Sequence, residues 1–153
     1  MSDPYKNLIS FKSAKKIMLT TLNPKTKTEI KNLKDCEDRI LAKDIFSEIN
    51  IPEFDNSAVD GFGFINSNAI DRNLEIIGEA KPGKPFLKKI KKNQAIKIYT
   101  GAYILKNKTK VNTVCMEEEC DSDGEKIRIF KKFKTGNNIR VKGEDVMKKK
   151  KIF

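Results

Sequence analysis

The stretch IPEFDNSAVDGFGF, residues 51 to 64, decides how the rest of this sequence is interpreted. It sets two aspartates, an asparagine, a serine and two glycines among apolar residues. Residues 55 to 57 can turn their side-chain oxygens back onto backbone amides. Asp60 and the glycine after it can form a second turn before an alternating strand begins at Phe62. One polar residue per turn would be enough, so the second aspartate leaves two interpretations open: a turn alone, or a turn that carries a site.

Composition places the chain among globular proteins of the cytoplasm. Its 153 residues are enough for one ordinary domain or two small lobes, and 38% hydrophobic residues provide a modest core. The sequence has no run of about 18 apolar residues, so no membrane span is predicted. The first residues lack the apolar segment of a secretory signal.

The three cysteines indicate reduced thiols, because an odd and sparse set does not form a disulfide framework. Cys115 and Cys120 are separated by MEEE, and the chain contains no histidine. The usual zinc-ligand sets are therefore excluded, and ordinary cytoplasmic thiols are expected.

The net charge is +11, and only four of the 32 basic residues are arginines. Such a balance can indicate nucleic-acid binding. Proteins that bind bases and phosphates usually rely on arginine and on stacking aromatic residues, and this chain has no tryptophan. A lysine-rich, solvated surface is the favoured interpretation. A non-catalytic basic β module that binds nucleic acid or serves in assembly is the alternative function.

Two helices are expected near the N-terminus. The first lies within residues 9 to 22, with Ser10 as its N-cap and an end no later than Asn23, because Pro24 follows. Phe11, Ala14, Met18 and Leu22 would lie close to one face of this helix. The second lies within residues 32 to 46. Its inward face would carry Leu33, Cys36, Ile40 and Leu41.

From Glu48 onward the chain changes to short runs rich in isoleucine and valine, separated by turn sequences such as KPGKPF and DSDGE. The runs are LEIIGEA, QAIKIYTGA, KVNTVCMEE, EKIRIFKKF and NIRVKGEDV. They predict an α+β fold in which short N-terminal helices precede a β-rich lobe that is barrel-like or sandwich-like. We expect the lobe at residues 48–135. Residues 1–47 and 136–153 would form an incomplete linker domain of helical and extended segments.

Two further stretches carry polar side chains at turns. IYTGA, residues 98 to 102, ends a strand where a hydroxyl and a bare backbone can approach an oxyanion. RVKGEDV, residues 140 to 146, sets both signs of charge around a glycine. Taken alone, IYTGA is equally consistent with a strand-ending turn, and RVKGEDV is better explained as a solvated hairpin tip. Carboxylates on a lysine-rich surface can hold Mg²⁺ while lysines meet a phosphate, since magnesium prefers one or two carboxylates plus ligand oxygens.

Taken together, these stretches resemble the molybdopterin molybdenumtransferase family, which includes MoeA and the E domain of gephyrin. The similar motifs, in order, are DRILAKDI, IPEFDNSAVDGFGF, IIGEAKPGKPF, IKIYTGA and NIRVKGEDV. The resemblance extends from about Ser10 to the last residue. The motif IPEFDNSAVDGFGF is highly specific by itself. The four motifs after DRILAKDI also occur in the same order as in the family, which argues against coincidence.

The chain also departs from the family pattern. Family members usually carry Met-Asp-Gly-Tyr-Ala where this chain has residues 59 to 63, and a proline where it has Tyr103. Their Gly-Ala-Asp-Ala-Val-Val stretch is replaced by KVNTVC, residues 110 to 115. The pterin-binding α/β domain and the C-terminal β domain of the family have no counterpart before Phe153. The resemblance therefore implies the N-terminal portion of such an enzyme, inactive by itself.

The resemblance implies insertion of molybdate into adenylylated molybdopterin, with release of AMP and with Mg²⁺ as cofactor. Asp60, Thr100 and Asp145 fall on positions that the family uses at or near its active site. It implies Asp60 and Asp145 as metal ligands, and Thr100 as a hydroxyl contact to an oxyanion. Ser57 and Gly101 would contribute to cofactor binding. The implied partner is a second copy in a homodimer or a complementing C-terminal half.

Overall fold

The computed structural model of the chain describes residues 8–22, 27–67 and 71–153. The chain divides into two compact units, Met1–Lys43 and Asp44–Phe153. The first unit holds an 11-residue helix, and the second is a β-rich lobe. The predicted α+β class is confirmed.

Helix α1 spans Phe11–Thr21. Ser10 caps its N-terminus, because the Ser10 Oγ accepts a hydrogen bond from the Ser13 amide at 3.1 Å. The predicted cap and the predicted end are both confirmed, while Asn23 and Pro24 lie outside the described residues. None of the α1 residues is buried. The predicted helix is confirmed, and its apolar residues are not buried.

The second predicted helix is wrong. Within residues 32–46 only Leu33–Asp35 is helical, as a single 3₁₀ turn. Asp38 has a φ of 57°, a left-handed conformation that a continuing α-helix does not accommodate. Leu33 and Ile40, both expected to face inward, are 91% and 97% exposed. A short amphipathic segment stays helical only when its apolar face is buried, and here that face is exposed.

The second unit contains eight strands among the described residues. They are β1 Asn56–Ser57, β2 Gly61–Phe64, β3 Arg72–Ala80, β4 Gln94–Ile98, β5 Thr113–Met116, β6 Asp121–Ser122, β7 Lys126–Ile129 and β8 Ile139–Arg140. A short helix, α2 Lys106–Thr109, precedes β5, and a 3₁₀ turn, Glu117–Glu119, joins β5 to β6. Each of the five predicted runs contains a strand. No helix in the described part of the chain is long and apolar enough to cross a membrane.

The larger sheet curls on itself. Its strand order is β5-β2-β4-β3-β7-β6, with β3 and β4 parallel and the other neighbours antiparallel. β5 and β6 lie at opposite ends of this order, although only residues 117–120 separate them in the chain. That connection spans at most about 17 Å, whereas a flat sheet of six strands is about 24 Å wide. The sheet therefore adopts a half-barrel shape, which confirms the barrel-like alternative.

β2 explains the repeated Gly-Phe pairs of the opening stretch. All four of its residues are buried. The glycines and the phenylalanines therefore face opposite sides of the strand, and both sides are packed against other residues. Phe62 and Phe64 pack in a core cluster with Leu74. A Cβ on Gly61 would lie 1.9 Å from the backbone carbonyl oxygen of Cys115. Gly61 is therefore required by the close approach of β2 and β5, and its assignment to a turn was wrong.

The last residues of the chain pair with the start of the second unit. Phe46 and Ile51 form antiparallel bridges with Lys151 and Val146. Further along, β1 pairs antiparallel with β8. Residues 45–57 therefore run alongside residues 139–153. The boundaries of the predicted lobe and linker domain stay a prediction.

Candidate functional site

Backbone hydrogen bonds bring the three candidate stretches side by side, with β1 in the middle. On one side, the Ser57 amide donates to the Ala102 carbonyl at 3.0 Å, and the Gly101 amide donates to the Ser57 carbonyl at 2.8 Å. On the other side, β8 places Arg140 opposite Asn56. The stretches that carry the candidate residues are therefore adjacent in the fold.

Thr100 and Gly101 occupy the centre of a tight turn, Tyr99–Ala102. The amide at the end of this turn donates to the carbonyl at its start at 2.9 Å. Gly101 has a φ of 79°, as the third position of a type II turn requires. The Asp60 Oδ1 accepts hydrogen bonds from both the amide and the hydroxyl of Thr100, each at 2.7 Å. Two of the predicted catalytic residues are therefore in direct contact.

Asp60 is held in its ionised form. The hydrogen bond from the Thr100 amide, followed by that from its hydroxyl, lowers the pKa of Asp60 below its ordinary value. The positive charge of Lys97 adds to this effect. Lys97 is itself paired with Glu117 at 2.9 Å. Because Asp60 is exposed, its charged carboxylate is accessible to a ligand from solvent.

Ser57 is arranged differently from its predicted role. It is 1% exposed, and its hydroxyl donates to the Val59 carbonyl at 2.6 Å. The Ser57 carbonyl accepts the hydrogen bond from the Gly101 amide. Both groups expected to meet a cofactor are thus engaged within the chain, and the cofactor-binding roles of Ser57 and Gly101 stay predictions.

A second glycine turn, Val141–Glu144, lies on the other side of β1. Its closing hydrogen bond is 3.0 Å long, and its glycine has a φ of 75°. Asp55 holds this turn, because its Oδ1 accepts from the Lys142 amide at 2.8 Å and its Oδ2 pairs with the Lys106 ammonium at 2.7 Å. Local turn chemistry could not have predicted this role, since Lys142 is 87 residues away.

The environment of Asp55 contains opposing effects on its pKa. Burial favours the neutral acid and is the largest single effect. The hydrogen bonds from Lys106 and from the Lys142 amide, together with the positive charges of both lysines, outweigh burial and lower the pKa. Asp55 is therefore a charged, half-buried anchor rather than the local turn former expected from the sequence.

Asp145 follows the second turn and belongs to a different set of contacts from Asp60. Arg140 Nη2 lies 2.5 Å from Oδ1 and 2.6 Å from Oδ2 of Asp145. The Asp145 amide donates to the Ile51 carbonyl at 2.9 Å. The predicted catalytic residues thus form two sets, with Asp60 bound to Thr100 and Asp145 bound to Arg140.

Asp60 fits a magnesium ligand better than Asp145 does. Magnesium is commonly held by one or two carboxylates plus substrate phosphates and water. Within the described ranges, hydrogen bonds reach only Oδ1 of Asp60, so Oδ2 is available, whereas Arg140 contacts both oxygens of Asp145. No group of three Asp, Glu, Cys or His side chains that could hold a metal occurs in the described part. A metal on Asp60 would therefore depend on oxygen atoms of a ligand.

Cys115 and Cys120 are free, buried thiols, as expected for ordinary cysteines. The hydrogen bond with Cys120 and burial both raise the pKa of Cys115. A buried thiol with a raised pKa is a poor nucleophile, which excludes Cys115 from that role.

The fold and the site together define a class: an α+β protein whose curled β lobe presents an ionised aspartate bonded to a threonine-glycine turn. Residues 9–153 match the family described as the MoeA N-terminal region, domains I and II. The chain belongs to this family of molybdopterin biosynthesis proteins. The resemblance drawn from the sequence motifs is confirmed.

Several similar proteins are molybdopterin molybdenumtransferases or molybdopterin biosynthesis proteins by name. The molybdopterin molybdenumtransferase of Haemophilus influenzae is 35% identical over 143 residues, which cover 92% of this chain and 35% of that protein. The enzyme of the same name from Bacillus subtilis is 30% identical over 128 residues, 79% of this chain and 30% of its own length. The crystal structure of the molybdopterin biosynthesis MoeA protein from Pyrococcus horikoshii OT3 superposes with a TM-score of 0.82 at 32% identity, covering 95% of this chain and 39% of that one. The chain thus spans about a third of the length of the curated relatives it matches.

Proposed function

We propose that the chain forms one side of the active site of a molybdopterin molybdenumtransferase, which inserts molybdate into adenylylated molybdopterin and releases AMP. The observation that supports this most directly is the contact between Asp60 and Thr100, made in a chain that matches the MoeA N-terminal region. An ionised, exposed carboxylate bonded to this turn suits a reaction of oxyanion substrates because it can hold the cation that neutralises their charge.

Asp60 would hold Mg²⁺ through its available oxygen, with phosphate oxygens of the substrate completing the coordination. When bound, the metal neutralises charge on the phosphates. The single hydroxyl proton of Thr100 is donated to Asp60. We therefore assign Thr100 to orienting Asp60 and keeping it ionised, and it can donate to an oxyanion only after it releases Asp60.

The remaining groups of the site would come from a partner, either a second copy in a homodimer or a complementing C-terminal half. Asp145 stays a predicted metal ligand, and Arg140 would have to release it first. Positioning and charge stabilisation act together in such reactions, so one side of a site is expected to be inert without the other.

AMP release from adenylylated molybdopterin, with molybdate and Mg²⁺ present, tests the proposal. The 153-residue chain should release no AMP alone and should do so when mixed with the separately expressed remainder of a relative. Asp60→Asn should lower the rate of the mixture by at least about tenfold, because it removes the metal-holding charge.

The matched control is Asp121→Asn, which removes an exposed carboxylate on β6 and should leave the rate unchanged. Turnover by the chain alone would contradict a site with two sides. Absence of turnover in the mixture would contradict the proposed reaction.

A further inference from the structure

An aromatic pair lies on the two chain segments that also carry Asp60 and Thr100. The rings of Phe54 and Tyr103 have centroids 4.9 Å apart and planes tilted by 48°. Asn56 and Tyr103 form an antiparallel bridge, so Phe54, two residues before Asn56, is a diagonal cross-strand neighbour of Tyr103. The backbone therefore fixes the position of both rings. Phe54 is 38% exposed, and Tyr103 is half-buried.

A lysine completes this patch. The Lys142 ammonium lies 5.7 Å from the centroid of the Phe54 ring, within the range of a cation–π contact. The backbone of Lys142 is anchored, because its amide donates to Asp55. Among the described residues, Lys142 has no carboxylate within ion-pair distance, in contrast to Lys97 and Lys106. Its charge is available to an anion from outside the chain.

The aromatic pair and the contact between Asp60 and Thr100 involve the same two chain segments. Tyr103 follows the Tyr99–Ala102 turn directly, and Phe54 precedes Asp60 on the segment that contains β1. Partly exposed aromatic rings beside a free ammonium provide both a stacking surface and a counter-charge for a ring that carries a phosphate.

We propose that Phe54, Tyr103 and Lys142 form a subsite for a planar heteroaromatic ring joined to a phosphate. The inference rests on the proposed function, in which Asp60 meets phosphate oxygens of the same ligand. Both ends of an adenylylated pterin have this chemistry, the adenine of the nucleotide and the pterin itself. Binding is measured without turnover, so its failure is distinguishable from failure of the proposed reaction.

The test titrates the full chain with AMP, with 6-hydroxymethylpterin monophosphate and with ribose 5-phosphate, which lacks a ring, and follows amide chemical shifts. At least one of the two ring compounds should bind on the order of tenfold more tightly than ribose 5-phosphate. The tighter of the two identifies the ring that the subsite takes. Equal affinity for all three compounds would overturn the proposal.

Substitutions at Tyr103 and Lys142 test whether the patch is responsible for the binding of the ring compound. Tyr103→Leu should weaken binding of the preferred ring compound on the order of tenfold, and Tyr103→Phe should retain it, because the stacking face is kept. Lys142→Gln should weaken binding and reduce its dependence on salt. Two controls should bind like the unaltered chain: Phe130→Leu, at a residue that is 46% exposed, and Lys132→Gln, which removes an exposed charge elsewhere.

A loss in the controls equal to that in the patch variants would overturn the proposal. If Tyr103→Leu does not fold, ring-current shifts in the unaltered chain decide instead. The ring compound should then shift the side-chain resonances of Phe54 and Tyr103 more than those of Phe130. Equal shifts at all three rings would contradict the subsite.

Discussion

Two glycine turns flank β1, and each is held by one aspartate of the opening stretch, but the two aspartates are bound differently. Asp55 uses both carboxylate oxygens, one for the Lys142 amide and one for Lys106, and its side chain is 18% exposed. Asp60 uses only Oδ1, for Thr100, and is exposed. Asp55 is therefore fitted to stabilise the fold, and Asp60 to bind something from solvent.

The largest expected effect on stability follows removal of Asp55. Asp55→Ala leaves the Lys142 amide and the Lys106 ammonium without their partner, and should lower the free energy of unfolding by about 2 kcal/mol. Asp55→Asn keeps an acceptor for the amide but loses the charge, so its effect should be about half as large. Urea unfolding of the three chains measures the difference. An unchanged midpoint for Asp55→Ala would show that the second turn does not need its aspartate.

Replacing each of the two turn glycines with alanine should destabilise the chain by different amounts. Both glycines have positive φ, which costs an L-residue about 1 kcal/mol. A Cβ on Gly143 would also lie 3.2 Å from the Asn50 Oδ1, which accepts a hydrogen bond from the Lys148 amide and is not free to move.

A Cβ on Gly101 would meet only Pro82, at 3.8 Å. Gly143→Ala should therefore destabilise the chain by about 2 kcal/mol and Gly101→Ala by about 1 kcal/mol. Thermal unfolding under one set of conditions checks the order, and a larger loss for Gly101→Ala would reverse the comparison.

Acid should weaken the turn held by Asp55. Its folded pKa is lowered, so its contribution is fully present above the unfolded pKa of about 3.9 and is lost as the pH falls through the folded value. The unaltered chain should therefore lose stability below about pH 4 more steeply than Asp55→Asn does. Denaturation midpoints measured between about pH 2 and pH 6 test this, and parallel curves for both chains would contradict it.

The smallest effect on stability is expected at Asp60. Asparagine keeps an oxygen that can accept both hydrogen bonds from Thr100, and the site is exposed. The melting temperature of Asp60→Asn should be nearly unchanged while the rate of AMP release falls. A sharp drop in melting temperature with retained activity would make Asp60 the structural residue of the pair.

Features that depend on neighbours in the chain could be predicted from the sequence. The Ser10 cap, the turn at Thr100 and Gly101, and the positions of the strands all follow from residue types a few positions apart. Motif order was also enough to indicate the family. Local conformational preferences and turn chemistry act over these short distances, so they appear directly in the residue pattern.

Features that depend on remote contacts were decided by packing. The second helix did not form, because its apolar side chains remained exposed. Gly61 proved necessary for the approach of β5, and Asp55 proved to bind an amide 87 residues away. Both Asp55 and Asp60 have the same side chain in the same stretch, and only their tertiary partners make one an anchor and leave the other accessible. Those partners lie 40 and 87 positions away in the chain, beyond the reach of local residue patterns, and only the pairing of remote segments brings them together.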